Sequence, residues 1–254
     1  MGGERDVRVH LTPELAPADM AGCVAVAIDV LRATTTIVQA LASGCVSVRP
    51  CAEVEEARAL AGSLPAGRTL LGGERGGLPL PGFDLGNSPR EYTAKRCRGT
   101  TLVLTTSNGT RAIARALSAE RVLIAAFVNF TAICEQLRHD ARPLHIVCAG
   151  SEGTPCLEDT LLAGAIVDYL CDECGVKLND SARLAWDCFE NHGRILAGAL
   201  EVSSGGEHLK AIGCGADLPL AAEVDKFPLA PEVRRDPLRI EVAGMSVVKS
   251  RWRG

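Results

Sequence analysis

Short apolar runs alternate along this chain with stretches whose apolar residues recur at helical spacing. Residues 24–29, 69–72, 101–104, 122–127 and 144–148 are apolar runs of strand length. Four of them lead into helical patterns, at 34–42, 109–117, 131–138 and 157–170. The last helix is the clearest, with Leu157, Leu161, Leu162, Ile166, Tyr169 and Leu170 near helical spacing. Strands alternating with helices predict an α/β fold: a mainly parallel sheet, or sheets, with helices on both faces. A short echo, strand–Asn-x-Thr–helix, recurs at 108–110 and 129–131. It allows two similar lobes but marks no boundary, so residues 1–254 read as a single unit. Beyond Gly175 the pattern weakens. Residues 182–200 are predicted helical, Ser203-Ser204-Gly205-Gly206 a break, and the proline-containing remainder from Leu218 a packed tail with a strand at 238–242.

Composition narrows the partners. A length of 254 residues fits one α/β domain or two small ones and is ample for a buried core. The net charge of −4, with no basic run interleaved with aromatics, argues against nucleic acid. No apolar run approaches a membrane span, and the N-terminus has no apolar core of a signal peptide, so a cytoplasmic location is expected. Several of the eleven cysteines, such as Cys23, Cys134 and Cys148, lie in or beside apolar runs and read as small buried hydrophobes. The pair Cys171 and Cys174 has no second pair at zinc spacing. Cys188 and Arg194 have the spacing of the cysteine-phosphatase loop, but Cys188 falls inside a predicted helix, so thiol chemistry is not expected.

The candidate chemistry sits where strands end. In open parallel sheets, ligands bind beyond the carboxyl ends of the strands. Those ends carry Asp29 and Arg32, Glu74 and Arg75, residues 105–110, Asn129, and residues 151–159. The loop LLGGERGGLPLPGFDLGNSPRE, residues 70–91, packs six glycines and three prolines around Glu74, Arg75 and Asp84. The carboxylates Asp29, Glu74, Glu158 and Asp159 form an all-oxygen donor set suited to magnesium, and no histidine cluster favours a softer metal. Adjacent helical residues point about 100° apart, so Glu158 and Asp159 both reach one ion only at a helix terminus. Asn108-Gly109-Thr110 offers backbone N–H groups at a helix start, and Arg32 and Arg75 offer forked donors for an oxyanion. Each has an ordinary alternative: carboxylates also cap helices or form ion pairs, and threonines such as Thr34 also cap and pack. No G-x-x-x-x-G-K-[ST] or G-x-S-x-G occurs. The run from Asp29 to Thr34 has Leu31 where a D-x-D-x-T phosphatase needs its second Asp.

Four ordered blocks carry a family resemblance. They are AIDVLRATTTIVQAL (27–41), GGER with GFDLGNSP, TTSNGTRAIARAL (105–117) and AGSEGTPCLEDTLLAGAIVDYL (149–170). Together they resemble the 2-phosphosulfolactate phosphatase family over about residues 24–170, and more weakly beyond. Ser107 stands where the family has threonine and keeps the hydroxyl; His192-Gly193-Arg194 and the run from Gly213 to Asp217 match only loosely. The resemblance implies a Mg2+-dependent phosphatase that converts 2-phospho-3-sulfolactate to sulfolactate and phosphate, a step toward coenzyme M. With the residue reading above, it sets the expected site. Asp29, Arg32, Arg75 and Asn108 are catalytic. Thr34, Ser107, Gly109, Thr110, Asn129 and Ser151 bind substrate. Asp29, Glu74, Glu158 and Asp159 hold the metal. The expected partner is a small anionic phosphoester, and a homodimer is compatible with the sequence. Another phosphorylated 2-hydroxy acid as substrate, a non-catalytic anion-binding role, and attack by water or by an Asp29 carboxylate all stay open.

Overall fold

Every strand that the apolar runs predict is present, the expected tail strand at 238–242 is present as well, and five more join them. The computed structural model describes residues 4–173, 175–245 and Trp252. Its strands are β1 (Arg5–His10), β2 (Val24–Ile28), β3 (Ser47–Cys51), β4 (Thr69–Arg75), β5 (Leu78–Pro79), β6 (Thr101–Thr105), β7 (Arg121–Ala125), β8 (Leu144–Cys148), β9 (Val176–Leu178), β10 (Leu229–Arg235) and β11 (Leu238–Met245). Its helices are α1 (Ala33–Ala42), α2 (Val54–Ser63), α3 (Ala94–Cys97), α4 (Gly109–Ala116), α5 (Phe130–Arg138), α6 (Leu157–Glu173), α7 (Asp180–His192), α8 (Leu196–Val202), α9 (Ser204–Ala211) and α10 (Leu218–Ala221).

The strands form one sheet in the order β5-β4-β6-β3-β11-β10-β7-β2-β8-β1-β9. Strands β4, β6 and β3 are mutually parallel, and so are β7, β2, β8, β1 and β9. The β10–β11 hairpin lies between the groups and is antiparallel to each, with Glu232 opposite Leu123 and Ile240 opposite Val48. Three successive antiparallel steps make the two parallel groups run in opposite directions. In a flat sheet their carboxyl ends would lie on opposite edges. Sheets twist by about 20–25° per strand pair, so the five steps from β6 to β2 accumulate about 100–125°. That rotation lets the carboxyl ends of the two groups open on a common cleft. The expected single edge of one parallel sheet is therefore replaced by two opposed groups that converge.

Side-chain alternation along β2 shows how the layers form. Val24, Val26 and Ile28 pack on one face with residues of α5, α6 and α7. Ala25 and Ala27 pack on the other face with residues of α1 and α4. Successive strand residues point to opposite faces, so one buried strand serves both helix layers. The predicted helix over 182–200 is divided: α7 ends at His192, a 3-10 turn spans Gly193–Ile195, and α8 follows. Gly193 lies against the Phe189 ring, 2.5 Å from where its Cβ would stand, which leaves no room for a side chain at the bend. The ten described cysteines are free thiols; Cys174, second of the close pair, lies outside the described residues. Among the described residues, no helix is long and apolar enough to cross a membrane.

Candidate active site

Asp29 follows β2 directly and is almost fully buried. Thr34 locks its backbone, donating from Oγ1 to the Asp29 carbonyl at 2.8 Å and accepting from the Asp29 N–H at 3.0 Å. The Ala33 N–H, at the start of α1, donates to Asp29 Oδ1 at 3.1 Å. The first residue of α4 presses on the same carboxylate: a Cβ on Gly109 would stand 2.6 Å from Asp29 Oδ2 and overlap Ala33 Cβ. Burial pushes the Asp29 carboxyl up to about 7; the Ala33 N–H opposes this, and the Glu74 and Glu158 carboxylates add to it.

A cleft of about 370 Å³ opens beside Asp29. Its walls include Arg32, Glu74, Ser107, Asn108, Ser151, Glu158 and Asp159, so seven of the predicted residues join Asp29 there. Four helices, α1, α4, α6 and α9, begin at these walls, which brings the positive ends of their dipoles to the cleft.

The carboxylates divide into two kinds. Glu74 accepts from the Ser107 N–H at 2.7 Å and from the Gly77 N–H at 2.7 Å, stapling the glycine-rich loop to the β6–α4 turn. Asp159 accepts from the Val30 N–H at 2.8 Å and the Gly150 N–H at 3.0 Å, tying the ends of β2 and β8 together. Its carboxyl is held well above the usual range by burial, then by Asp29 and Glu158. Glu158, in the first turn of α6, differs: its Oε2 is buried without a hydrogen-bond partner. Gly205 at the start of α9 packs so closely on Glu158 Oε1 that a Cβ there would force the carboxylate to shift. Burial raises the Glu158 carboxyl as well. Among the described residues, no three His, Cys, Asp or Glu side chains form a ready-made metal cluster.

The two arginines part company. Arg32 lines the cleft and is buried in an ion pair with Asp217 at 2.9 Å; its other terminal nitrogen donates to the Gly77 carbonyl at 2.5 Å. Arg75 is not brought to the cleft walls. It donates to the carbonyls of Glu74 and Ala52 at 2.8 and 3.1 Å and to Thr105 Oγ1 at 3.0 Å, as a strut between β4, β6 and the start of α2. Thr34 and Thr110 also stay outside the walls; Thr110 Oγ1 donates to the Thr106 carbonyl at 2.8 Å. Asn129 is fully buried elsewhere. It donates to the carbonyls of Ile124 and Leu229 at 3.1 Å each and accepts from the Ala126 N–H at 2.8 Å, fastening β10 to the end of β7.

Several wall residues were not singled out from sequence. Asn87 belongs to the GFDLGNSP block; it is buried at the cleft with its Oδ1 unpartnered. Ser204, Gly205 and His208 come from α9. The signal for that helix was present, because Ser203 is an N-cap whose Oγ accepts from the Gly206 N–H at 3.0 Å. His208 Nε2 lies 3.2 Å from the Gly76 carbonyl, which brings α9 against the glycine-rich loop.

The family model described as 2-phosphosulpholactate phosphatase matches residues 10–236. The chain belongs to the 2-phosphosulfolactate phosphatase family. Two relatives named probable 2-phosphosulfolactate phosphatase, from Symbiobacterium thermophilum and Synechococcus sp. strain JA-3-3Ab, are each 42% identical to it. The first match covers 85% of this chain and 94% of the relative; the second covers 88% and 93%. A relative of the same name from Gloeobacter violaceus is 39% identical over 94% of this chain and 99% of its own length. The family is one of phosphoric monoester hydrolases. Its match takes in every element that walls the cleft, from β2 to α9, and Asp217 behind Arg32.

Proposed function

We propose that this enzyme hydrolyses 2-phospho-3-sulfolactate to sulfolactate and phosphate with magnesium in the cleft. The observation that carries the reading is the charge of the walls. Asp29, Glu74, Glu152, Glu158 and Asp159 face the cleft with only Arg32 and His208 of opposite tendency. An anionic phosphoester would be repelled from such a surface, yet four helix N-termini, which favour anions, converge on it. A cation resolves the conflict. The residues fit a hard divalent ion: the donors are oxygens, Glu158 Oε2 is a buried acceptor without a donor, and the Glu158 carboxylate raises the cost of charging Asp29. Asp29 and Glu158 would hold it, with Glu74 and Asp159 supporting through the backbone they already bind. Bound there, magnesium supplies charge neutralisation for phosphoryl oxygens.

The chain's own groups do the rest. The positive ends of the α1 and α4 dipoles favour the phosphoryl oxygens, and the Ser107 hydroxyl and Asn108 amide orient the ester beside Asp29. Arg32 presents N–H donors to an anionic oxygen at the wall. The sulfolactate part of the assignment is supported by the names of the relatives and by the ordered sequence blocks; a cytoplasmic step toward coenzyme M belongs to the same proposal. The test is phosphate release from phosphorylated sulfolactate, lactate, glycerate and malate, with and without magnesium. The sulfolactate ester should give the highest kcat/KM. Equal or faster release from another ester would reassign the substrate, and no release from any would leave an anion-binding protein.

A further inference from the structure

The cleft's arginine is held from behind by a residue far along the chain. Asp217 ends a 3-10 turn, Gly215–Asp217, between α9 and α10. Its side chain and that of Arg32 are each 3% exposed, and the pair meets at 2.9 Å. The second Asp217 oxygen accepts from Ser88 Oγ at 2.5 Å, so both carboxylate oxygens are engaged. Arg32 lines the cleft, whereas Ser88 and Asp217 do not. Four segments thus converge on one guanidinium: the β2–α1 link, the β4–β5 turn through the Gly77 carbonyl, the loop carrying Ser88, and the turn carrying Asp217.

A buried ion pair is weak evidence for stability, because desolvation offsets much of the attraction. Its effect here is directional. A guanidinium has five N–H donors, and only two are used in these contacts, which leaves its open edge for a ligand at the wall. Asp217 also competes with the cleft carboxylates for the same cation, since Arg32 acts electrostatically on Asp29. Without Asp217, the guanidinium would be drawn toward Asp29 and its neighbours, away from a bound anion.

We infer that Asp217, steadied by Ser88, is a positioning residue that holds the Arg32 guanidinium at the cleft wall with its open N–H groups toward the substrate anion. The inference rests on the proposed reading that Arg32 grips that anion. The test uses inorganic phosphate as a competitive inhibitor of the magnesium-loaded enzyme, with circular dichroism as the check on folding. The variants are Asp217→Asn, Asp217→Ala, Arg32→Ala, and Asp217→Ala combined with Arg32→Ala. Asp217→Ala should raise the phosphate inhibition constant about tenfold or more, the scale of a lost charged contact. Asp217→Asn should fall between it and wild type. Asn keeps the size, with its oxygen turned to Arg32 and its amide to Ser88, so it carries the test if the alanine variant does not fold. The double variant should bind phosphate no more weakly than Arg32→Ala alone, because Asp217 acts only through Arg32. Wild-type inhibition in both Asp217 variants, with loss in Arg32→Ala, would overturn the inference alone. Losses that multiply in the double variant would also overturn it. Wild-type inhibition in Arg32→Ala would overturn the reading of Arg32 as anion ligand, and the inference with it.

Discussion

Gly109→Ala tests whether the start of α4 sets the position of Asp29. The added Cβ would overlap Ala33 Cβ and stand 2.6 Å from Asp29 Oδ2. Carbon atoms settle at about 3.5–4.0 Å, so α4 or the Asp29–Ala33 turn must retreat by on the order of 1 Å. Neither gives easily. Ala33 Cβ is fixed to the backbone of α1, and Asp29 Oδ1 is held by the Ala33 N–H. Overpacking of this kind costs about 1–3 kcal/mol. At about 2–4 °C per kcal/mol for a chain near this size, the Tm should fall by about 2–12 °C. Activity should fall further, because a displacement of about 1 Å at a reacting group can cost about 100-fold. Gly198→Ala is the control: it lies within α8 with nothing near its Cβ position, and should leave kcat/KM unchanged while stabilising by up to about 1 kcal/mol. Thermal melting and phosphate-release kinetics on both variants decide the matter. Wild-type Tm and kcat/KM in Gly109→Ala would refute the reasoning.

Asn129→Ala should lower Tm, since it strips three hydrogen bonds from a buried site, at about 1–3 kcal/mol for each group left unsatisfied. Its kcat/KM at a permissive temperature should match wild type; a fall in kcat/KM at unchanged Tm would restore it to the substrate site. Arg75→Lys should cost stability by calorimetry, because lysine cannot span the Glu74, Ala52 and Thr105 acceptors, while phosphate inhibition stays as in wild type. The pH dependence follows from Asp29, whose carboxyl rises from 3.8 unfolded to about 7 folded. The folded state holds the extra proton, so this contribution is fully present below about pH 4 and is lost as pH rises through 7. Melting of chelator-treated enzyme should show that decline, and Asp29→Asn should make it shallower, with the raised Glu158 and Asp159 carboxyls supplying the remainder; an unchanged slope would remove Asp29 as a source.

The parts of this architecture legible from sequence are those governed by short-range pattern. The strands β2, β4, β6, β7 and β8 are apolar enough to be read directly, because parallel strands covered on both faces carry nearly continuous hydrophobic runs. Three other strands escaped because charge or proline interrupts them: Arg5, Asp6 and Arg8 in β1, Arg49 and Pro50 in β3, and Pro231 with Glu232 in β10. Without β10, the predicted strand at 238–242 had no hairpin partner, and the reversal between the two parallel groups stayed hidden. Seven expected site residues line the cleft with Asp29 because strand ends and helix starts are fixed locally by the chain. Arg75 and Asn129 have the same sequence context, but their partners, the Ala52 and Leu229 carbonyls, are set by tertiary packing that no local pattern records. Asn87, His208 and Asp217 lacked any strand-end signal and reach the site only through loops and α9.

The most direct measurement is phosphate release from 2-phospho-3-sulfolactate by exhaustively chelated enzyme as magnesium is added back, for wild type and Glu158→Gln. Magnesium should restore wild-type activity from a negligible level and should raise Tm, by about 2.7 kcal/mol of stabilisation at a hundredfold excess over its Kd. Glu158→Gln should need far more magnesium for either effect. Full activity after chelation, or Glu158→Gln responding to magnesium as wild type does, would contradict the assignment of the cleft carboxylates to a cation-assisted phosphatase.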